Sequence, residues 1–500
     1  MLTVHHGGIL RLSDDHTLPD ENLEENLGKG PFSYMFPKLQ DDPKNNLLPE
    51  FETTAADLQR LGMKAMRDPA NEIPGIRVPA IHTFLAQFID HDITLMDDRG
   101  AHISLAAPTP LSPDRINKIV NARSPNLDLD NVYGPNIDPQ LSPPTAPDDP
   151  RKMKIERVVG DGGLPKGVHD EWHDFPRVDN KVARIGDSRD AENLILAQLH
   201  VAFLRAHNVI VDERQCDFEE ARKLLIQHYQ WIVLDNFLNQ ICDRDVVKKI
   251  RYSEPKFFTP SPESFYMPLE FAVAAYRFGH SKVRSSYPHF NSEQENGTFN
   301  FLFGFTNQRL PDNWVISWPS FLDTENEERL PRRIDTTLSG PLLSLGPDQL
   351  GGQDPTKGNL AVRNLLRGYM LKMPTGQAVA RAMASEGIKP LTPDEITSVT
   401  AEIPILNNGT QADFLKTLKT DFFTSTPLWF YILAEAAFHG DHGNHLGPVG
   451  STIVAEVLIG VLRNSTYSIL TDLDWKGPTL KGETPGKFDI ADLLKLAGVI

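Results

Sequence analysis

Four groups of residues have the types and spacing to do chemistry. The first is Gln87, Asp90 and His91, spaced so that all three share one face of a helix. Asp92 follows directly but is turned by roughly 100° from His91 and looks elsewhere. The second is Asp128 and Asp130 in NLDLDNVYG, alternating acids ahead of a Tyr-Gly turn. Such oxygens either bind a hard cation or simply face water. The third is Arg189 with Glu192, close enough to pair across one helical turn. The fourth is His280, isolated on an apolar stretch, either a ligand or a core histidine with its polar atoms satisfied. The run HGDHGNH at 439–445 also has metal-ligand types, but its glycines point to an exposed loop. HExxH, CxxC, GxSxG and glycine-rich phosphate motifs are missing, so zinc, P-loop and serine-hydrolase chemistry lack support.

These residues need elements to position them. Residues 80–98, AIHTFLAQFIDHDITLMDD, read for the most part as a buried helix, with Ile81, Phe84, Leu85, Phe88, Ile89, Ile93 and Leu95 apolar. Three polar side chains on such a helix are costly unless something satisfies them. Arg189 and Glu192 open a second buried helix within residues 184–212, which Asp187 or Ser188 can cap. His280 lies in MPLEFAVAAYRFGHSKVRSSY, residues 267–287, a third apolar helical stretch that also carries Arg277 and Arg284. Further helices are expected at 53–66, 217–240, 244–251, 358–371, 376–387, 393–400, 410–424, 427–438 and 448–463. Strand signals are sparse, and no repeat or linker divides the chain. The expected fold is mostly α: one large helical domain over 51–500 with few short strands. An irregular N-terminal arm, residues 1–50, is expected to pack on it.

Composition narrows the function. Five hundred residues are ample for a large core. With 67 acidic against 50 basic residues and a formal charge of −17, the chain is no natural partner for nucleic acid or an anionic membrane. Cys216 and Cys242 make no disulfide framework and fit a reducing compartment, although one bridge between them is permitted. The N-terminal MLTVHHGGILRLSDD lacks a basic n-region and an apolar h-region, so no signal peptide is expected. The apolar run STIVAEVLIGVL holds 12 residues including Glu456, too few to span a bilayer. The expected location is cytoplasmic, or outside by a non-classical route.

AQFIDHD, SPNLDLDNVYG, GDSRDAENLILAQLHVAFLRAHN, AAYRFGH and NLAVRNLLRG occur in that order over roughly residues 80–370. Together they resemble the animal-type haem peroxidases, the peroxidase–cyclooxygenase superfamily, and the flanks are similar to its bacterial members. The resemblance implies haem b and calcium as cofactors and hydrogen peroxide as a substrate. By the same resemblance His91 is the distal histidine, Arg189 the distal arginine, and Gln87 the residue that holds water or a halide. His280 is implied as the iron ligand, with the amide oxygen of Asn364 accepting from its other ring nitrogen. Asp90 and Glu192 are similar to the carboxylates that in some relatives form ester bonds to haem methyls. Arg277 would anchor a haem propionate or support Asn364. Asp92, Ser124, Asn126 (through its backbone carbonyl), Asp128 and Asp130 are implied as calcium ligands.

The chemistry suits these types. A neutral His91 can take the proton from the near oxygen of peroxide and deliver it to the far one. Arg189 is always charged and can stabilise the negative charge that develops as the O–O bond breaks, on the way to a ferryl intermediate. A cation on Asp92 would fix the rotation of the helix that carries His91.

Departures from the pattern matter as well. The cyclooxygenase branch has a tyrosine three residues before the proximal histidine; here that residue is Arg277, and Tyr276 would face about 100° away. Some vertebrate members have a methionine after the ester glutamate that bonds to haem; here it is Asn193. Asp130 stands where many relatives have serine, which makes the implied metal site more anionic. The disulfides of secreted relatives are absent. The expected function is therefore a haem peroxidase oxidising small aromatic donors or iodide, bromide or thiocyanate. A haem-dependent fatty-acid (di)oxygenase of the same superfamily and a non-catalytic adhesion or structural protein are the alternatives.

Overall fold

The computed structural model describes residues 2–5, 8–11, 30–68, 72–75, 77–98, 105, 107–134, 143–179, 181–260, 265–293, 296–303, 308–345, 358–405 and 409–500. Helices dominate. The principal ones are α1 (Glu52–Lys64), α2 (Ile81–Ile93), α3 (Leu194–Arg214), α4 (Phe218–Trp231), α5 (Arg244–Arg251), α6 (Leu360–Met370), α7 (Leu428–His439), α8 (Pro448–Asn464) and α9 (Ile490–Leu496). Strands are short, and the fold is mostly α as expected. Cys216 and Cys242 are both free thiols.

Helix α2 is the apolar rod that its pattern dictates: Ile81, Phe84, Leu85, Phe88, Ile89 and Ile93 are almost completely buried. It is shorter than the stretch 80–98. Thr94 is extended, and the chain runs on into the strand Met96–Asp97. Buried Asn121 explains the stop. Its Nδ2 donates to the carbonyl of Ile93 at 2.8 Å, and its Oδ1 accepts from the amide of Leu95 at 2.7 Å. The end of the helix is thus satisfied by a side chain instead of another turn.

One small sheet ties the functional segments together. Its strand order is Met96–Asp97, Val120–Asn121, Gly30–Ser33, Met267–Pro268, the last pairing parallel and the others antiparallel. It joins the exit of α2 to the segment that leads to His280. Upstream, Leu2–His5 pairs with Gly8–Arg11, while residues 12–29 lie outside the described part. Residues 35 and 36 are held by buried Glu270, whose carboxylate accepts from the amides of Met35 (2.7 Å) and Phe36 (3.1 Å).

The second predicted helix begins later than expected. Asp187 caps a preceding 3-10 turn, Ser188–Ala191, while α3 is capped by Asn193, whose side chain accepts from the Leu196 amide. Among the described residues α3 alone is long and apolar enough to cross a membrane, and 78% of its apolar window is buried within the protein. Its apolar surface is therefore used by the core.

Residues 267–287 depart most from expectation. They form a strand, then π-helical Glu270–Ala274, 3-10 Ala275–Phe278 and a short α-turn, Gly279–Lys282. Arg277 Nε takes the carbonyl of Ala272 at 3.0 Å, so a side chain enters the backbone ladder. Insertions of this kind interrupt regular helix and re-aim the side chains that follow. Opposite, α6 lies against α1 at Gly62, where an added Cβ would sit 2.7 Å from the amide nitrogen of Val362. That close approach sets the height of Asn364 on α6.

Buried neutral histidines lock several elements. His228 on α4 donates from Nδ1 to the Leu224 carbonyl, while its Nε2 accepts from the amides of Thr479 and Leu480, both at 2.9 Å. A second proton on that ring would break both accepting bonds. Burial pushes His82, His173, His207 and His228 down from 6.5 to about 4. A folded pKa below the unfolded one means stability that is complete above pH 6.5 and is lost as pH falls toward 4. These rings are therefore expected to make the melting temperature drop steadily between pH 6.5 and 4. A flat profile down to pH 4.5 would refute this account.

Candidate active site and its two faces

On the α2 side, His91 is fully buried and its Nδ1 lies 2.7 Å from Oδ1 of Asp190. Arg189 is held rigidly beside it. Its Nε and Nη2 bind the Asp187 carboxylate (3.1 and 2.7 Å), and Nη2 also donates to the carbonyls of Thr94 (2.7 Å) and His91 (3.2 Å). Among the described residues Nη1 makes no hydrogen bond. The ion pair of Arg189 is thus with Asp187, and Glu192 acts on it through space only. Burial raises the Asp187 carboxyl, but Arg123 and Arg189 flank it and hold it far below the usual range. Asp187 therefore stays ionised and keeps the guanidinium fixed. Gln87 accepts from Asn193 Nδ2 at 3.2 Å, and Asp90 accepts from Thr94 Oγ1 at 2.7 Å.

The α6 side is built around His280. Asn364 Nδ2 lies 2.8 Å from His280 Nδ1, and Asn364 Oδ1 accepts from Arg277 Nη1 at 2.7 Å. The amide is thus turned opposite to expectation. A guanidinium only donates, so it claims the oxygen and leaves the NH2 for the histidine. With the amide so turned, His280 Nδ1 accepts and the ring's proton sits on Nε2; an iron at Nε2 would displace that proton and leave an imidazolate, unless the amide turns its oxygen to an Nδ1–H. Of the two roles considered for Arg277, support of Asn364 is the one observed.

Three guanidiniums, that of Arg367 buried and those of Arg277 and Arg363 half-buried, crowd this region. Burial first, and then the charge of Arg367, lower Arg277 to about 9 and Arg363 to about 10. Asp90 offsets this at Arg277, Glu192 and Asp98 offset it at Arg363, and Arg367 pairs with Asp98 at 3.3 Å. Asp90 is felt by Arg189 on one face and by Arg277 on the other, so the two faces address the same space. Like charges at this density call for an added anion. Haem, with two propionates and an iron that takes an imidazole nitrogen, fits this donor set. Arg363 and Arg367 were missed by sequence reasoning. NLAVRNLLRG was noticed for Asn364, and the arginines one position before it and three after it are the signal that was there.

The acidic loop docks on the outer side of α2. The Asp130 amide donates to Asp92 Oδ1 at 2.6 Å, and Ser124 Oγ donates to Asp130 at 2.7 Å and, more weakly, to Asp128 at 3.4 Å. Burial, then the charges of Asp128 and Asp130, push Asp92 well above its usual range. Burial and Asp130 push Asp128 up to about 8. Asp92 Oδ2 and Asn126 Oδ1 are buried oxygens that make no hydrogen bond. Among the described residues no group of three or more His, Cys, Asp or Glu is drawn into a coordination sphere. The orphaned oxygens, all hard donors, nevertheless fit calcium. Gly186 holds this loop against the Arg189 turn: an added Cβ would lie 2.5 Å from the carbonyl oxygens of Asp130 and Asn131.

Comparison with known proteins agrees with this geometry. A family model described as animal haem peroxidase matches residues 106–321. A peroxidase-like protein of Margaritifera margaritifera is 34% identical over 123 residues, which cover 22% of this chain and 15% of that protein. Lactoperoxidase of Homo sapiens is 30% identical over 200 residues, 36% of this chain and 27% of that one. The chain thus spans only a minor part of these relatives' length. Among solved structures, peroxidase A from Dictyostelium discoideum shares the fold with a TM-score of 0.60 at 17% identity, covering 95% of this chain and 94% of that one. A fatty acid alpha-dioxygenase of Oryza sativa gives 0.53 at 14% identity, covering 86% and 74%.

Proposed function

From a chain that belongs to the animal-type haem peroxidase superfamily, we propose a haem peroxidase that reduces hydrogen peroxide and oxidises small aromatic donors or halides and thiocyanate. The observation that carries this is the pairing of two faces: His91 and Arg189 on one, and the His280–Asn364–Arg277 relay on the other. Haem b, held by His280 with Arg363 and Arg367 toward its propionates while Arg277 supports Asn364, would supply a redox-active iron for the reaction with peroxide.

The protein's own groups do the rest. His91 takes the proton from the near oxygen of peroxide and returns it to the far oxygen, which leaves as water. Arg189, locked by Asp187, presents a fixed positive charge to the oxygen that gains electrons. It need not reorganise during the step, because Asp187 and two carbonyls already hold it. Gln87, anchored by Asn193, is placed to hold a water or a halide. Asp90 and Glu192 are the carboxylates for ester bonds to the haem. Calcium would sit between Asp92 and residues 124–130, bound by Asp92, Ser124, the Asn126 carbonyl, Asp128 and Asp130.

A second reading has its own support. The fold is shared with fatty acid alpha-dioxygenase, so oxygenation of a fatty acid is the rival, while Arg277 in place of a tyrosine favours the peroxidase. The test expresses the full chain with haem and calcium and follows the Soret band on adding peroxide, with guaiacol or iodide as donor. Donor oxidation with peroxide and no O2 uptake with palmitate is expected; the reverse pattern would establish the rival. Extraction with acidified organic solvent after peroxide reports ester formation. Haem should remain with the protein, and should be released from an Asp90→Val, Glu192→Gln double variant. Covalent retention by that variant would remove both carboxylates from the role.

A further inference from the structure

Asp190 follows Arg189 directly, yet it faces away from every role described so far. It is wholly buried. Its Oδ1 meets His91 Nδ1 at 2.7 Å, and its Oδ2 meets His200 Nδ1 at 2.7 Å and Asn131 Nδ2 at 3.0 Å. Three elements therefore converge on one carboxylate: α2 through His91, α3 through His200, and the helical turn Asp130–Tyr133 through Asn131. An ionised carboxylate can only accept, so each of the three must donate to it.

We propose that Asp190 is a positioning residue that holds His91 in the tautomer with its proton on Nδ1, so that the lone pair of Nε2 faces the reacting space. In a neutral imidazole one nitrogen donates and the other accepts, and the bond made by one decides the state of the other. A histidine that must take a proton from peroxide is useful only with Nε2 unprotonated. Asp190 itself remains an acceptor: burial raises its carboxyl, but the hydrogen bonds it receives from His200 and His91 lower it.

His200 explains why the carboxylate is shared. Its ring lies edge-on to Phe175 (centroids 5.2 Å apart) and to Phe88 (6.2 Å), and its Nε2 is buried without a hydrogen bond. In that apolar setting it can serve only as a donor through Nδ1, not as a proton path. It pins one carboxylate oxygen, as Asn131 does, so the other is presented to His91 in a single orientation. The same shared acceptor braces α2 against α3, which keeps His91 and Arg189 in register.

The tautomer follows from hydrogen bonding alone, whereas the use of Nε2 as the base rests on the peroxidase reading. The experiment separates the two. The full chain, labelled with ¹⁵N only at histidine, is prepared with haem in the diamagnetic ferrous–carbonyl state, and His91 and His200 are assigned by loss of signal in His91→Gln and His200→Phe. Both rings are expected to show a protonated Nδ1 and an unprotonated Nε2. In Asp190→Ala, His91 is expected to shift toward the Nε2–H form. Association of hydrogen cyanide, which must give up its proton on entry, should then slow on the order of 100-fold. A wild-type His91 protonated on Nε2 would overturn the proposal, as would an Asp190→Ala protein with unchanged tautomer and unchanged cyanide rate. If Asp190→Ala does not fold, the wild-type spectrum still decides. If the chain takes up no haem, the peroxidase reading fails, and the same spectrum of the haem-free chain decides the tautomer.

Discussion

Replacing His91 by glutamine is expected to slow the reaction with hydrogen peroxide by roughly 10³-fold, within the range that a positioned general acid–base contributes. Glutamine nearly matches the volume of histidine and offers an amide to Asp190, so α2 should remain packed. What is lost is the capacity to take a proton and give it back. Haem uptake should be unaffected, because His280, Asn364 and the arginines proposed for the propionates stand on the other face. The measurement is stopped-flow absorbance of the haem-loaded variant against peroxide concentration. A second-order rate constant within threefold of wild type, with the Soret band intact, would exclude His91 as the base. The contrast with Arg189→Gln is informative. That change also frees one side of Asp187 and leaves it paired with Arg123, so it should cost stability as well as rate.

Removal of calcium is expected to have the larger structural effect. Asp92, Asp128 and Asp130 are brought together, two of them almost wholly buried, with Ser124 as the bridging hydroxyl. Close carboxylate pairs at low effective dielectric repel by about several kcal/mol each, and a dication removes that cost. Exhaustive chelation at pH 8 should lower the melting temperature by roughly 10 °C and disturb the Soret band, because Asp92 sits beside His91 on α2. The pH dependence follows from the direction of the shifts. Asp128 is pushed up to about 8, so in calcium-free protein its contribution is complete below its unfolded value and is lost as pH rises through 8. The chelated protein should therefore melt higher at pH 6.5, above the histidine transition, than at pH 8, and the calcium-loaded protein should not. An Asp128→Asn, Asp130→Asn double variant should become indifferent to chelator. Unchanged melting and absorbance after chelation would exclude a bound cation between α2 and this loop.

The shape of the site was partly legible in residue patterns. Gln87, Asp90 and His91 fall on one helical face by arithmetic alone, and Asp92 falls off it, where the structure finds it turned toward Asp130. The apolar spacing of α3 likewise announces a buried helix. Residues 267–287 were not legible in the same way, because their apolar pattern is helical while Glu270 and Arg277 divert the backbone into π and 3-10 turns. Those diversions depend on partners far along the chain, the amides of residues 35 and 36 and the amide of Asn364.

Periodicity, motif order and charge thus determine which side chains exist for the chemistry and on which helix face each one stands, because these depend on neighbours within a turn or two. Only the tertiary structure decides whom they meet. It pairs Arg189 with Asp187 instead of Glu192, and turns the Asn364 amide oxygen to Arg277 instead of His280. It also closes His91 and His200 on the single carboxylate of Asp190. Each is a competition among donors for one acceptor, settled by distances between helices that are remote in the chain. Local sequence carries no record of those distances.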